Sequence, residues 1–267
     1  AQIRTAGVGD LYQGALARRI EQGAASAGGG LTLAELRDAL PTLAPALDTR
    51  AGRDTVSFLP PPADGGLAAA AAFAILQNQP TAMDTASTQA LAVASRWRSL
   101  RGERRGSDSQ AGDPLALISA TGLPPASLPG LPASTTFLTL DREGNAVACA
   151  VTMDNLFGTG RIVPGTGVLL AASPTTAPAP LLTAAIAWNP HLHAFRAEAG
   201  GSGQEGAALA AAVALANALR TGQPMPAPVP EPGRANVIAC NRYLPGSESS
   251  CAWATDPRGS GLATGSN

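Results

Sequence analysis

The chain has 267 residues, of which 45% are hydrophobic and 14% charged, with a net charge of -1, enough apolar material for one large or two small domains. That near-neutral balance excludes the basic footprint of a nucleic-acid binder, and because every basic residue is Arg there is no lysine to clamp a phosphate. Glycine and proline, 30 and 23 residues, lie between periodic segments and show no repeat period.

In chain order, apolar residues at i, i+3 and i+4 predict helices over residues 11–25 and 33–40, the second with Thr32 as N-cap and Glu35 three positions on. Residues 55–59 read as a short strand, and residues 66–77 and 81–100 as helices. The first of these helices is so rich in alanine that it must pack closely against a neighbour, and it is too short to span a bilayer. Residues 101–113 read as a charged loop with glycine and serine. Residues 123–133, rich in proline and leucine, are expected to lie extended. The chain opens on Ala1-Gln2-Ile3 without a signal peptide, as a mature or trimmed product would.

Residues 135–140 and 146–153 lean toward β structure and are separated by Asp141-Arg142-Glu143-Gly144-Asn145, in which Gly144 can take a positive φ. The pair predicts an antiparallel hairpin with Ser134 at its entry and Thr152 and Asp154 near its exit. No histidine lies nearby to activate Ser134 in the manner of a Ser-His-Asp triad. A hydroxyl residue at the start of a strand can instead act as an N-terminal nucleophile, freed by self-cleavage and served by its own α-amino group as general base. Each residue also has a plainer reading: Ser134 begins a strand, Thr152 is a β-former, and Asp154 makes an Asx-turn. Beyond the hairpin, residues 181–188 and 194–199 are expected strands and residues 205–219 an alanine-rich helix. Helices outside and strands inside give a layered α/β sandwich.

The remaining candidates lie in the second half. Gly200-Gly201-Ser202-Gly203 precedes a helix, so its N–H groups can form an anion or oxyanion hole, or serve as a simple connection. His191 and His193, the only histidines, sit beside Asn189-Pro190 with no Cys or acidic cluster, which favours a solvated turn over a metal site. Cys240 and Cys251 flank a Pro/Gly/Ser loop that a disulfide would close, and Cys149 reads as a buried thiol. One disulfide with one buried Cys fits a periplasmic or secreted protein.

The run from Ser134 to Gly160 resembles the opening of the small subunit of gamma-glutamyltransferases, TTHxSVVDxxGNAVxxTxTxNxxFGTG. Counting back from Asp141 without a gap places Ser134 on the nucleophile. Upstream, Leu11-Tyr12-Gln13-Gly14 is similar to the family's FYxG, residues 29–36 to its GGxLTxEDL, and residues 60–66 to its PPPPSSGG. The resemblance implies an αββα sandwich of the N-terminal nucleophile hydrolase type. Residues 1–133 would be the later part of a large subunit and residues 134–267 a small subunit, intertwined in one unit, without the usual N-terminal half. It further implies a γ-glutamyl-type amide as substrate, no cofactor and no metal, with the missing half as a possible separate chain. Thr152 would support the nucleophile, Thr135 and Asp154 would contact substrate, and Gly201, Ser202 and Gly203 would hold the oxyanion. The family's acidic pair for the substrate α-amino group falls on Thr175 and Thr176, and its serine pair for the α-carboxylate near Leu182 and Thr183. Those losses leave open a non-catalytic relative that acts as a binding or assembly subunit.

Overall fold

The computed structural model describes residues 2–103, 113–226 and 228–265. Most of the charged loop expected over 101–113 therefore lies outside the described residues. The chain divides into two compact units, residues 1–44 with 153–179, and residues 45–152 with 180–267.

The first unit carries α1 (Gln2–Ala6), α2 (Gly9–Gln13), α3 (Ala15–Ser26) and α4 (Leu33–Asp38). The single helix expected over 11–25 is broken at Gly14, which is extended at φ -97°. Asp10 is the cause: its carboxylate accepts Ala15 N at 2.7 Å and Leu16 N at 3.4 Å, capping α3 from the first turn of a separate short helix. At α4 the capping box expected from the sequence is present, with Glu35 N donating to Thr32 Oγ1 at 3.2 Å and Thr32 N to Glu35 Oε2 at 2.8 Å. The bonds that its carboxylate accepts from Thr32 N and Thr32 Oγ1 hold the Glu35 carboxyl below its usual range. Leu16, Ile20 and Ala24, one stripe of α3, pack on Val163 and Leu170 of the glycine-rich segment.

The second unit contains β1 (Leu47–Ala51), β2 (Asp54–Phe58), α5 (Asp64–Asn78), α6 (Met83–Glu103) and α7 (Pro114–Ile118). It continues through β3 (Ser134–Leu140), β4 (Ala146–Thr152), β5 (Thr183–Asn189), β6 (Ala194–Ser202), α8 (Ala207–Thr221), β7 (Arg234–Leu244) and β8 (Cys251–Thr255). One antiparallel sheet has the order β1-β2-β5-β6-β7-β8, and β3-β4 forms a second sheet of two strands. On one face of the large sheet lie α5 and α8, with α6 packed against them. Their alanines are buried almost without exception, so the helices approach as closely as their backbones allow, and their apolar character all round marks helices enclosed in a core. Asp64, at the start of α5, is buried and paired with Arg98 of α6. Burial raises the Asp64 pKa even though Arg98 opposes the shift.

The hairpin lies against β5, β6 and β7. A second apolar cluster fills this side, in which Phe195, Cys240 and Leu244 meet Leu140, Ala146, Ile186 and Ile238. Close approach depends on Gly200, where a Cβ would come within 2.6 Å of Thr136 Cβ and Oγ1. The unit thus stacks helices, sheet and hairpin sheet, and the architecture is the mixed α/β sandwich with antiparallel sheets that the sequence predicts.

Candidate active site

The turn sets the hairpin register. Asp141 N donates to Asn145 O at 3.1 Å, Asn145 N returns a bond to Asp141 Oδ1 at 2.8 Å, and Gly144 takes φ 85°. Bonds from Asn145 hold the Asp141 carboxyl below its ordinary range. Seven residue pairs then run from Leu140↔Ala146 to Ser134↔Thr152, which brings the two hydroxyl residues opposite each other. With side chains alternating along each strand, Ser134, Thr136 and Leu138 share one face with Ala148, Ala150 and Thr152. Thr135, Phe137, Val147 and Cys149 occupy the other, where Phe137 is 52% and Val147 59% exposed. Cys149 is accordingly a half-buried free thiol and not the buried one expected.

At the open end, Thr152 Oγ1 donates to Ala133 O at 2.6 Å. That oxygen is the carbonyl of the Ala133–Ser134 peptide. Ser134 Oγ is itself buried, with no hydrogen-bond partner among the described residues. Two residue pairs further in, Asn236 of β7 donates through Nδ2 to Thr136 O at 3.1 Å and to Thr136 Oγ1 at 3.2 Å, fixing β3 over the sheet. Beside the outer edge of β3 runs an open groove of about 820 Å³, lined by Thr135, Asn236, Trp253 and Leu262 among others, and Ser134 does not line it.

The chain ahead of Ser134 is tied to the turn that follows β6. Gln204 Nε2 donates to Leu131 O at 2.8 Å, and Glu205 Oε1 accepts the N–H of Leu128. Gln204 has φ 52°, an uncommon conformation for a residue with a side chain. Neither residue carries a sequence signal of this role, because the tie depends on a contact spanning more than seventy positions. Gly201 and Ser202 lie within the ladder, opposite Thr183 and Ala235 and opposite Arg234. Gly203 is the first residue beyond the strand and has φ 98°.

Another residue that the sequence reading misses is Glu198. It is fully buried in β6, between Ile186 and Ile238 on the adjacent strands and on the same side of the sheet as the hairpin. Neither carboxylate oxygen has a partner among the described residues, and burial pushes its pKa up to about 8. A charged residue inside a run of small residues, Ala197-Glu198-Ala199-Gly200, was the available signal.

Thr135 is exposed on the opposite face of the hairpin, and Asp154, with φ 53°, belongs to the first compact unit. Thr175 and Thr176 engage Ser173, through Thr175 Oγ1 to Ser173 Oγ at 2.8 Å and Thr176 Oγ1 to Ser173 O at 2.7 Å. Thr183 is buried and donates to Leu181 O at 3.2 Å. His191 and His193 are exposed in the β5–β6 turn, where Asn189 Oδ1 accepts the N–H groups of His191 and Leu192, each at 3.0 Å. Among the described residues no three His, Cys, Asp or Glu gather to hold a metal ion. Nor, among those residues, is any helix long and apolar enough to cross a membrane. Cys240 and Cys251 are opposed in the β7–β8 register and joined by a disulfide.

Comparison with known proteins adds two findings. The family model described as gamma-glutamyltranspeptidase matches residues 1–114, the stretch holding the three upstream motifs, and ends before the hairpin. The fold is similar to the crystal structure of cephalosporin acylase from Bacillus halodurans, with a TM-score of 0.66 and 17% identity. That likeness covers 96% of this chain and 59% of the acylase, so the chain spans less than two thirds of the length of this structural relative. No curated protein matches the chain.

Proposed function

We propose that this chain, which matches the gamma-glutamyltranspeptidase family model over residues 1–114 and is similar in fold to a cephalosporin acylase, acts as an N-terminal nucleophile hydrolase and cuts itself between Ala133 and Ser134. It then uses Ser134 to transfer or hydrolyse the acyl group of an amide. The observation that carries this reading is the pair at the hairpin's open end, Thr152 Oγ1 on Ala133 O at 2.6 Å beside a buried Ser134 Oγ with no partner among the described residues.

The chemistry follows from that arrangement. Ser134 Oγ adds to the Ala133 carbonyl carbon, and Thr152 stabilises the negative charge that develops on the oxygen. The peptide C–N bond breaks as the hydroxyl proton passes to the departing nitrogen, leaving an ester between Ala133 and Ser134. Water hydrolyses the ester to give the Ala133 carboxylate, the Ser134 hydroxyl and a free Ser134 α-amino group. With an unperturbed pKa of about 7.7–8.0, that amine is poised as the general base for the hydroxyl in later turnovers. An external amide then acylates Ser134, and water or an amine takes up the acyl group. The glycine-rich end of β6 at Gly201 and Ser202, with Gly203 just beyond it, is the proposed second source of oxyanion donors, and Thr135 and Asp154 are the proposed substrate contacts.

Thr152→Val, which keeps the shape and β propensity but removes the hydroxyl, is expected to slow self-cleavage about 100-fold. Thr152→Ser retains most of the rate. The time course of the fragment that begins at Ser134, followed by mass spectrometry, measures both, and a Val variant that cleaves at the wild-type rate removes Thr152 from the mechanism.

The disulfide supports an export route, and we place the working protein in the periplasm or outside the cell. A companion polypeptide supplying the part of the acylase fold that has no counterpart here is a further element of the proposal. A second reading, a non-catalytic binding subunit, draws on the neutral residues Thr175, Thr176, Leu182 and Thr183 at the positions of the family's head-group contacts. Amide turnover that disappears in Ser134→Ala separates the two.

A further inference from the structure

We infer that the acyl group this site accepts is apolar and peptide-like, seated where residues 128–133 now lie, and is not a charged γ-glutamyl head; the inference rests on the proposed use of Ser134. In self-cleavage the acyl donor is the chain itself, read backward from the scissile bond as Ala133, Pro132 and Leu131. The same Ser134 oxygen attacks an external amide, so that acyl group must extend from the oxygen along the path its predecessor took. The leading segment is therefore a template of the acyl seat.

Three features define that template. Leu131 and Leu128, 2% and 9% exposed, are part of the main apolar core, and Pro132 is buried, so the seat is lined for hydrocarbon. Its two polar ties, Gln204 Nε2 to Leu131 O at 2.8 Å and Glu205 to the Leu128 N–H, both engage backbone atoms. They read the amide groups of a segment that turns at Pro129-Gly130, where Gly130 has φ 72°, and no particular side chain. Gln204 keeps a left-handed backbone at φ 52°, a conformation that persists in a residue with a side chain only when its surroundings hold it. The third feature bears on charge. Residues 128–133, Leu-Pro-Gly-Leu-Pro-Ala, carry no charged side chain, so the seat they occupy is built around an uncharged occupant. An ionised head group brought into an apolar seat without partners loses its hydration with nothing in return.

The full chain, incubated until self-cleavage is complete, is assayed with two chromogenic amides, acetyl-Leu-Pro-Ala p-nitroanilide and γ-glutamyl p-nitroanilide. The inference predicts kcat/KM about 100-fold higher for the first, the discrimination expected from an unpaired buried charge. Gln204→Gly suits the left-handed backbone while removing the side-chain donor, and it should narrow that ratio about tenfold by weakening the peptide amide alone. A cleaved chain that prefers or equally accepts the γ-glutamyl amide overturns the inference and leaves the nucleophile reading in place. So does a cleaved chain inert toward both amides, because the seat is then not vacated. A chain that never exposes Ser134 overturns the nucleophile reading, and the inference falls with it.

Discussion

Ser134→Ala is expected to leave the chain as one 26.6 kDa species and to lower amide turnover by about 10⁴- to 10⁶-fold, the range for deleting a covalent nucleophile. The change is otherwise mild. Ser134 Oγ makes no hydrogen bond among the described residues, so its removal takes away a buried polar atom without orphaning a partner. Thermal stability should therefore change by no more than about 1 kcal/mol, and in the stabilising direction. That combination distinguishes a nucleophile from a structural serine, whose loss would lower stability and leave the chain's covalent state unaltered. Ser134→Cys and Ser134→Thr keep a nucleophilic atom at the same position and should restore cleavage, the Thr variant more slowly because its added methyl enters a packed site. Intact mass, melting temperature and initial rates on one set of preparations decide the matter, and an Ala variant that still yields two fragments rejects Ser134 as the attacking group.

The second large effect concerns Glu198. Its carboxyl is enclosed between the sheet and the hairpin, with Ile186 and Ile238 on either side, and its pKa of about 8 lies well above the 4.5 of an unburied Glu. The charged group nearest along the strand, Arg196, is committed elsewhere: it donates to Cys240 O and lies 5.8 Å from the Tyr243 ring centre. Between pH 4.5 and about 8 the unfolded chain has released the Glu198 proton while the folded chain retains it. The folded state then binds more protons than the unfolded one, so stability falls as pH rises through this window and levels off above it. At about 1.4 kcal/mol for each unit of separation the loss amounts to several kcal/mol. Glu198→Gln has nearly the same shape and no titration, and should flatten this part of the stability–pH curve while raising stability at pH 8. Denaturant unfolding at a series of pH values measures it, and an unchanged slope in the variant would place the pH dependence on other groups.

Local signals made much of this molecule legible. The hairpin could be placed because Asp141 and Asn145 close a turn around Gly144, and alternation then fixes Ser134 opposite Thr152. The α4 cap could be read because Thr32 and Glu35 supply both halves of a capping box within four residues. The alanine-rich segments announced α5 and α8, since only a packed environment tolerates helices apolar on every side. Elements whose definition comes from partners were harder to see. β1 is held by pairing to β2 across a turn at Gly52, with φ 62°, and β7 and β8 by each other and their disulfide. The break at Gly14 reflects a carboxylate four residues back that caps the next helix, which helical periodicity does not reveal. At the site, the nearness of Thr152 to Ser134 followed from the hairpin, whereas the Thr152 bond to Ala133 O and the hold of Gln204 and Glu205 on the leading segment emerge only in the folded chain. Glu198 was overlooked for a related reason: its place in a run of small residues was a signal, but its burial arises only when the rest of the fold covers both faces of its strand.

The central claim is that the Ala133–Ser134 peptide is a substrate of its own neighbour. Determining the N-terminus of every polypeptide in purified wild-type protein after prolonged incubation near pH 7 tests it most directly. The account predicts a fragment beginning Ser-Thr-Thr-Phe, accumulating at a rate independent of protein concentration as an intramolecular reaction requires. A single intact chain after that incubation, with the Ala133–Ser134 bond unbroken, would contradict it.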